Sequence, residues 1–171
     1  MRIVVEEIPE EGLEVDIGPG EPWAVEATRR ALEGEVLHLA GHLQVRRIGP
    51  GVQVRGRAAA TVAQSCVRCL GDVRVVLDGP VSLWYEPLPA RTQDQASLSA
   101  DALDVGFFEG GELDLGTVLM EHLALEGPTI VRCGEPTVEG LTGGPCELAG
   151  TGEEPPGDPR FPLLTGLKLD E

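Results

Sequence analysis

The chain of 171 residues is long enough for one ordinary domain with a hydrophobic core, or for a domain with a tail. Thirteen Lys and Arg residues against 29 Asp and Glu residues give a formal net charge of −16, which excludes a uniformly basic nucleic-acid clamp. Hydrophobic residues make up 42% of the chain but aromatic residues only 4%, so Val, Leu and Ala must form the core.

The first residues of the chain predict one strand and one helix. Residues 3–5 are a short β-branched run and predict a strand, and the Glu/Gly/Pro-rich stretch from there to Pro22 predicts a loop. Between Trp23 and Leu32, apolar residues recur at helical spacing, with Pro22 near the start and Gly34 after the end. This arrangement predicts a short helix.

The middle of the chain predicts a β-meander. Residues 36–48 and 52–63 are extended runs joined by Gly49-Pro50-Gly51, which is a hairpin pattern. Residues 73–77 and, after a Gly-Pro pair, residues 81–85 predict two further strands. The Cys66-x-x-Cys69 segment connects the second strand to the third.

A second helix is predicted after a polar surface loop at residues 91–101. Asp114 is suited to cap its start, and Gly127-Pro128 ends it. The apolar face at i, i+3, i+4, i+7 and i+8 consists of Leu115, Val118, Leu119, His122 and Leu123.

Together these elements predict an α+β fold with two parts. Residues 1–127 would form an antiparallel meander sheet or a partly closed barrel with one or two covering helices. Residues 128–171 would form an irregular Gly/Pro-rich segment that packs on this domain or trails from it.

The cysteines leave three interpretations open. We expect a cytoplasmic protein, because no signal-peptide core follows Met1 and no apolar run reaches the length of a membrane span. In that compartment Cys66, Cys69, Cys133 and Cys146 are reduced thiols, zinc ligands or redox groups. A redox pair is disfavoured because such a motif normally starts a helix, whereas this one lies between strand-like runs.

A basic band lies inside this acidic protein. Between Arg46 and Arg74 the only acidic residue is Asp72. The band consists of Arg46, Arg47, Arg55, Arg57, Arg68 and Arg74. On a strand, alternate side chains share one face, so Arg55 and Arg57 would lie together. Guanidinium groups bind phosphate bidentately and stack on bases, which makes this face a candidate RNA platform; the alternative is an ordinary solvated face.

Catalytic patterns are weak. The three histidines are His38, His42 and His122. His38 and His42 lie in a strand-like run, where a structural role is commoner than catalysis, and Glu121-His122 does not form an i, i+4 metal-binding pattern. The chain contains no phosphate-binding glycine loop, no nucleophile elbow and no dinucleotide fingerprint. We therefore expect a protein that is not an enzyme.

Several motifs together resemble the YceD family. They are Val54-Arg55-Gly56, Ser65-Cys66-Val67-Arg68-Cys69-Leu70, Leu113-Asp114-Leu115 with Glu121, Pro128 with Cys133, and Asp158-Pro159-Arg160-Phe161 before Leu163, Leu164 and Leu167. The likeness extends from about Val36 onward. It implies a role in the accumulation of large-subunit ribosomal RNA, through its synthesis, processing or stability.

The chain departs from this family at its downstream cysteines. The family commonly has Gly-Leu-Cys followed by Cys-Gly, whereas Gly140-Leu141 is followed here by Thr142. Only Cys133 and Cys146 remain to complete the zinc site that the resemblance implies, and they are widely spaced. This departure favours a protein without a cofactor over one that holds zinc.

Two functions of different class follow as expectations. The first is a non-catalytic ribosome-biogenesis factor whose basic band contacts ribosomal RNA or a large-subunit assembly intermediate. The alternative is an acidic protein-interaction module that binds a basic ribosomal protein before assembly. Neither involves a membrane.

Overall fold

The computed structural model describes residues 1–88, 105–134 and 137–140. The helices are α1 (Pro22–Leu32) and α2 (Leu115–Glu126), and a 3-10 turn covers Val5–Glu7. The strands are β1 (Arg2–Val4), β2 (Leu13–Ile17), β3 (Glu35–Ile48), β4 (Gly51–Ser65), β5 (Asp72–Pro87), β6 (Val105–Phe108), β7 (Glu112–Asp114) and β8 (Val138–Gly140). Within this described part, neither helix combines the length and the hydrophobicity that crossing a membrane requires.

One open sheet dominates the fold. Its strand order is β2-β3-β4-β5-β6, and β8 pairs with the beginning of β5. All neighbours are antiparallel except β5 and β6, which are parallel. Strands β1 and β7 form a separate antiparallel pair. The long strands β3, β4 and β5, of 14, 15 and 16 residues, set the length of the molecule.

The two faces of the sheet differ in burial because side chains alternate along each strand. One face packs under α1 and α2, which also pack against each other. We call it the inner face, and its fully buried side chains include Leu39, Leu43, Val45, Val52, Val54, Val62 and Val75. The opposite, outer face carries no fully buried side chain along β3, β4 and β5.

Both predicted helices are confirmed. Helix α1 begins at Pro22 and ends before Glu33, whose φ of 49° lies in the left-handed region. Asp114 caps α2, since its Oδ1 accepts a hydrogen bond of 2.9 Å from the backbone N–H of Gly116. The predicted apolar face of α2 is buried, including His122.

The prediction of two strands separated by Gly79-Pro80 is wrong, because β5 runs through both residues. Proline has no N–H and is tolerated in a strand where that position faces away from the neighbouring strand. Pro80 lies opposite Arg57 of β4. On the other side of β5, β8 pairs with residues 73–75 and β6 with residues 84–87, so no described strand needs a donor from Pro80.

Two further predictions are wrong, and two others concern residues outside the described part of the chain. The predicted loop before Pro22 contains β2, whose Leu13, Val15 and Ile17 point inward while two acidic residues alternate with them. The described sheet does not close into a barrel, so that alternative is wrong. The predicted loop at residues 91–101 and the C-terminal residues 141–171 lie outside the described residues.

Candidate functional site

The cysteine pair occupies a tight turn between β4 and β5. The N–H of Cys66 donates to the carbonyl of Gly71 (2.9 Å), and the N–H of Leu70 donates to the carbonyl of Cys66 (2.8 Å). Leu70 closes the turn with φ 57°, a left-handed conformation uncommon for a leucine. The pair therefore lies at a strand connection and not at the start of a helix, as expected.

Cys133 joins this turn from the segment that follows α2. The N–H of Val67 donates to the carbonyl of Val131 (3.0 Å), which fixes the two segments side by side. The Sγ of Cys133 then lies 3.5 Å from the Sγ of Cys66 and 3.8 Å from the Sγ of Cys69. All three sulfur atoms lie within 4.8 Å of one another.

The Cys66 thiol is acidified by its surroundings. Its Sγ accepts hydrogen bonds from the backbone N–H groups of Cys133 (3.4 Å) and Arg68 (3.4 Å). These donors, the backbone of Cys69 and the Cys133 thiol lower the pKa of Cys66 to about 6, although burial acts in the opposite direction. These contacts therefore favour the thiolate form of Cys66, which is the form that ligates metals.

The three cysteines fit three of the four ligand positions of a tetrahedral zinc site. Structural zinc sites are tetrahedral and prefer thiolate ligands, and the three sulfur atoms are close enough to share one ion. Backbone N–H groups that point at a ligating sulfur provide the surrounding hydrogen bonds of such sites. Cys146, the fourth predicted ligand, lies outside the described residues.

The basic band is divided among three places. The cross-strand pairs Arg46 with Gln53, Gln44 with Arg55, and Ala63 with Arg74 place Arg46, Arg55, Arg57 and Arg74 on the outer face. Arg47 pairs with buried Val52 and so belongs to the other side of β3, where its Nε donates to the carbonyl of Gly49 (3.4 Å). Arg68 lies exposed in the cysteine turn.

Acidic groups from neighbouring strands enter the outer face. Arg57 Nε lies 2.8 Å from the Oδ1 of Asp78, and this ion pair raises the pKa of Arg57 and lowers that of Asp78. His42, beside Arg57, contacts Glu14 and Asp16 of β2. The sequence of residues 46–74 does not reveal these acidic neighbours, because only strand pairing brings them to the outer face. Arg46, Arg55, Arg68 and Arg74 form no ion pair with a described residue.

A cavity of about 830 Å³ lies beside the cysteine turn, between the ends of α1 and α2. Its lining includes the segment from Gly127 to Val131, and among the described residues that line it only Glu33 and Glu35 are titratable. Both glutamates are exposed. Among its described lining residues, the cavity therefore contains no catalytic pair of a nucleophile and a general base.

One comparison with known proteins decides the family. The family model described as large ribosomal RNA subunit accumulation protein YceD matches residues 54–168. The chain belongs to the YceD family. The match includes most of β4, the cysteine turn, β5 and α2, and so contains the whole cysteine cluster. Comparison with curated proteins and with solved structures gives no significant match.

Proposed function

We propose that this YceD-family protein is a non-catalytic ribosome-biogenesis factor that binds large-subunit ribosomal RNA in the cytoplasm through the outer face. The family name supports the link to this RNA. The observation that carries the proposal is the outer face itself. It is long and no described element covers it. At the end nearest the β3–β4 turn it presents Arg55, whose cross-strand neighbours are uncharged, and Arg46, which forms no ion pair with a described residue although Glu14 of β2 lies nearby.

The structure narrows the basic band to the arginines that are available to bind phosphate. Arg55 lies opposite Gln44 on one side and Ser82 on the other, so its cross-strand neighbours are uncharged. Arg57, one position along the same face, is already bound to Asp78. Arg74 is eight residues from Ser82 along β5, roughly 26 Å away at the rise of a strand. Arg46 and Arg55 therefore form the local phosphate-binding pair.

The zinc ion has a structural role in this proposal. Held by Cys66, Cys69 and Cys133, it would fasten the turn between β4 and β5 to the segment after α2. The sequence favoured the metal-free protein because Thr142 stands where the family has a cysteine and because Cys133 and Cys146 are widely spaced. The contacts of Cys133 with both members of the pair favour the zinc alternative.

A second candidate function is supported by the net charge of −16. An acidic surface would receive a basic ribosomal protein and shield it before assembly. This candidate predicts tight, salt-sensitive binding of a purified basic ribosomal protein and no binding of bare RNA.

The test measures binding of ribosomal RNA fragments as a function of salt concentration. We expect Arg46→Ala combined with Arg55→Ala to weaken binding and to reduce the log–log salt slope by about 0.7–0.9 for each lost phosphate contact. The matched control is Arg29→Ala with Arg30→Ala, which removes the same charge from exposed positions on α1. The control should leave both quantities unchanged.

Crosslinking in growing cells identifies the partner class independently. Recovery of ribosomal RNA attached near β3 or β4 supports the proposal. Unchanged affinity and salt slope in the folded outer-face variant, or crosslinks to a ribosomal protein alone, would contradict it.

A further inference from the structure

A tryptophan lies on the outer face beside the two unpaired arginines. Trp84 of β5 pairs with Gln53 of β4, which in turn pairs with Arg46 of β3. Arg55 is the next outward residue along β4, and its partner Ser82 precedes Trp84 by two positions. In an antiparallel pair, such diagonal neighbours lie within reach of long side chains. Trp84 is thus the aromatic centre of a basic and polar surface.

The indole ring rests on a glycine. A Cβ atom at Gly51 would lie 2.5 Å from Cζ2 and 3.0 Å from Cε2 of Trp84, so only glycine leaves room for the ring at this distance. Gly51 is buried and Trp84 is half-buried. One side of the ring therefore covers the backbone of β4, while the rest of the side chain remains accessible on the outer face.

A hydrogen bond fixes the orientation of the ring. The indole Nε1–H donates to the Oε1 of Glu86 at 3.0 Å. Glu86 follows Trp84 along β5, whereas Ser82 and the neighbouring Arg55 lie on the other side of Trp84. A phosphate would avoid the Glu86 carboxylate and approach the guanidinium groups. A bound RNA backbone would therefore pass Trp84 on the side of Arg55.

We propose that Trp84 stacks on an unpaired base, so that the outer face binds single-stranded ribosomal RNA and not a duplex. This inference rests on the proposed function and adds the class of RNA that it takes. A base held in a duplex is already stacked on both sides, whereas an unpaired base can stack on an aromatic ring. Arg46 and Arg55 then contact the flanking phosphates, and the Gln53 amide offers a hydrogen-bond donor and acceptor to the base.

The experiment uses the full chain with Trp23→Phe, so that Trp84 is the only fluorophore of its kind. The probes are a short unstructured oligoribonucleotide and the same strand annealed to its complement. We expect the single strand to quench Trp84 fluorescence and to bind more tightly than the duplex. Trp84→Leu should weaken single-strand binding roughly 5- to 100-fold while preserving its salt slope, and Trp84→Phe should retain part of the affinity.

The outcomes separate this inference from the proposed function. If the single strand binds and Arg46→Ala with Arg55→Ala weakens it, but Trp84 is neither quenched nor needed, the stacking is overturned and the RNA contact stands. Equal affinity for duplex and single strand also overturns the stacking. If the folded protein binds neither probe, both proposals fail. Because quenching is measured on intact Trp84, the result holds even if Trp84→Leu does not fold.

Discussion

At the scale of single residues, Asp114 connects the sequence to the structure most directly. It ends β7 and caps α2, and its carboxylate also lies near the side chain of Arg2 (3.5 Å). The cap satisfies one of the backbone N–H groups that every helix leaves without a partner at its start. The exposed ion pair should contribute much less than the cap.

Substitution at Asp114 should therefore separate capping from charge. We expect Asp114→Ala to lower the free energy of unfolding by about 0.5–2 kcal/mol, and Asp114→Asn, which keeps a capping oxygen, to lower it by less. Chemical denaturation of the two variants measures the difference. An equal loss in both would show that charge, and not the cap, stabilises this end of the helix.

At the scale of elements, β2 is tied to β3 through one histidine. The Nδ1 of His42 lies 2.9 Å from the Oδ1 of Asp16, its Nε2 contacts Glu14, and Gln44 donates to Glu14 as well (2.6 Å). The hydrogen bonds of Asp16 and Glu14 raise the pKa of His42, and those of Gln44 and His42 lower the pKa of Glu14. Protonated His42 thus holds the edge strand.

This cluster predicts how stability changes with pH. The folded state binds the His42 proton more tightly than the unfolded state, so the contribution of His42 is complete below the unfolded pKa of about 6.5 and is lost as pH rises through its raised folded pKa. Glu14 acts in the opposite sense. Its contribution is present above its unfolded pKa and is lost as pH falls through its lowered folded pKa.

The measurement is the melting temperature of the wild type and of His42→Gln across this pH range. We expect the difference between the two proteins to shrink as the solution becomes alkaline. A difference that is constant from about pH 5 to about pH 9 would show that His42 does not titrate in the contact with β2.

The elements also show what sequence patterns can establish. Helix α2 was predictable because its cap, apolar spacing and Gly-Pro end agree. Strand β2 has the alternating pattern of a half-buried strand, since Leu13, Val15 and Ile17 alternate with acidic residues. It was nevertheless predicted as a loop, because the surrounding stretch is rich in Glu, Gly and Pro. Strand β5 was divided in error because a proline interrupts a strand only when its N–H position faces a neighbour.

The candidate site shows the corresponding limit for long-range contacts. The Cys66-x-x-Cys69 spacing revealed a pair, and the sequence offered Cys133 and Cys146 as candidates to complete it, but no local pattern showed that Cys133 lies beside the pair. That contact depends on the hydrogen bond from Val67 to Val131, between segments far apart in sequence. For the same reason the pairing of Arg57 with Asp78 became visible only with the register of β4 and β5.

At the scale of the whole molecule, the cysteine cluster links the sheet to the chain that follows α2. If zinc is bound, we expect about one ion per chain and thiols that react only after a chelator is added. Chelation should then accelerate hydrogen exchange in residues 131–134 and 137–140 before it affects α2 and the centre of β4, because the core of the sheet does not depend on the metal. Mass spectrometry of the native protein and exchange measurements check both.

The control is Cys133→Ser, which should lose zinc while Arg46 and Arg55 keep their positions on the outer face. Four freely titrating thiols and no metal in natively purified protein would reject the zinc site. The domain would then be stabilised by its Val, Leu and Ala core alone, which is sufficient for a chain of this size.

The distance in sequence between Cys66 and Cys133 delays formation of the cysteine cluster during synthesis of the chain. The two residues are 67 positions apart, and a ribosome adds roughly 5–20 residues per second, so Cys133 is synthesised about 3–13 seconds after Cys66. During this interval β4 and β5 have emerged, or are emerging, with a thiol pair that lacks both Cys133 and the hydrogen bonds that Cys133 donates to Cys66. The three-cysteine cluster can therefore form only after the segment that follows α2 has been synthesised.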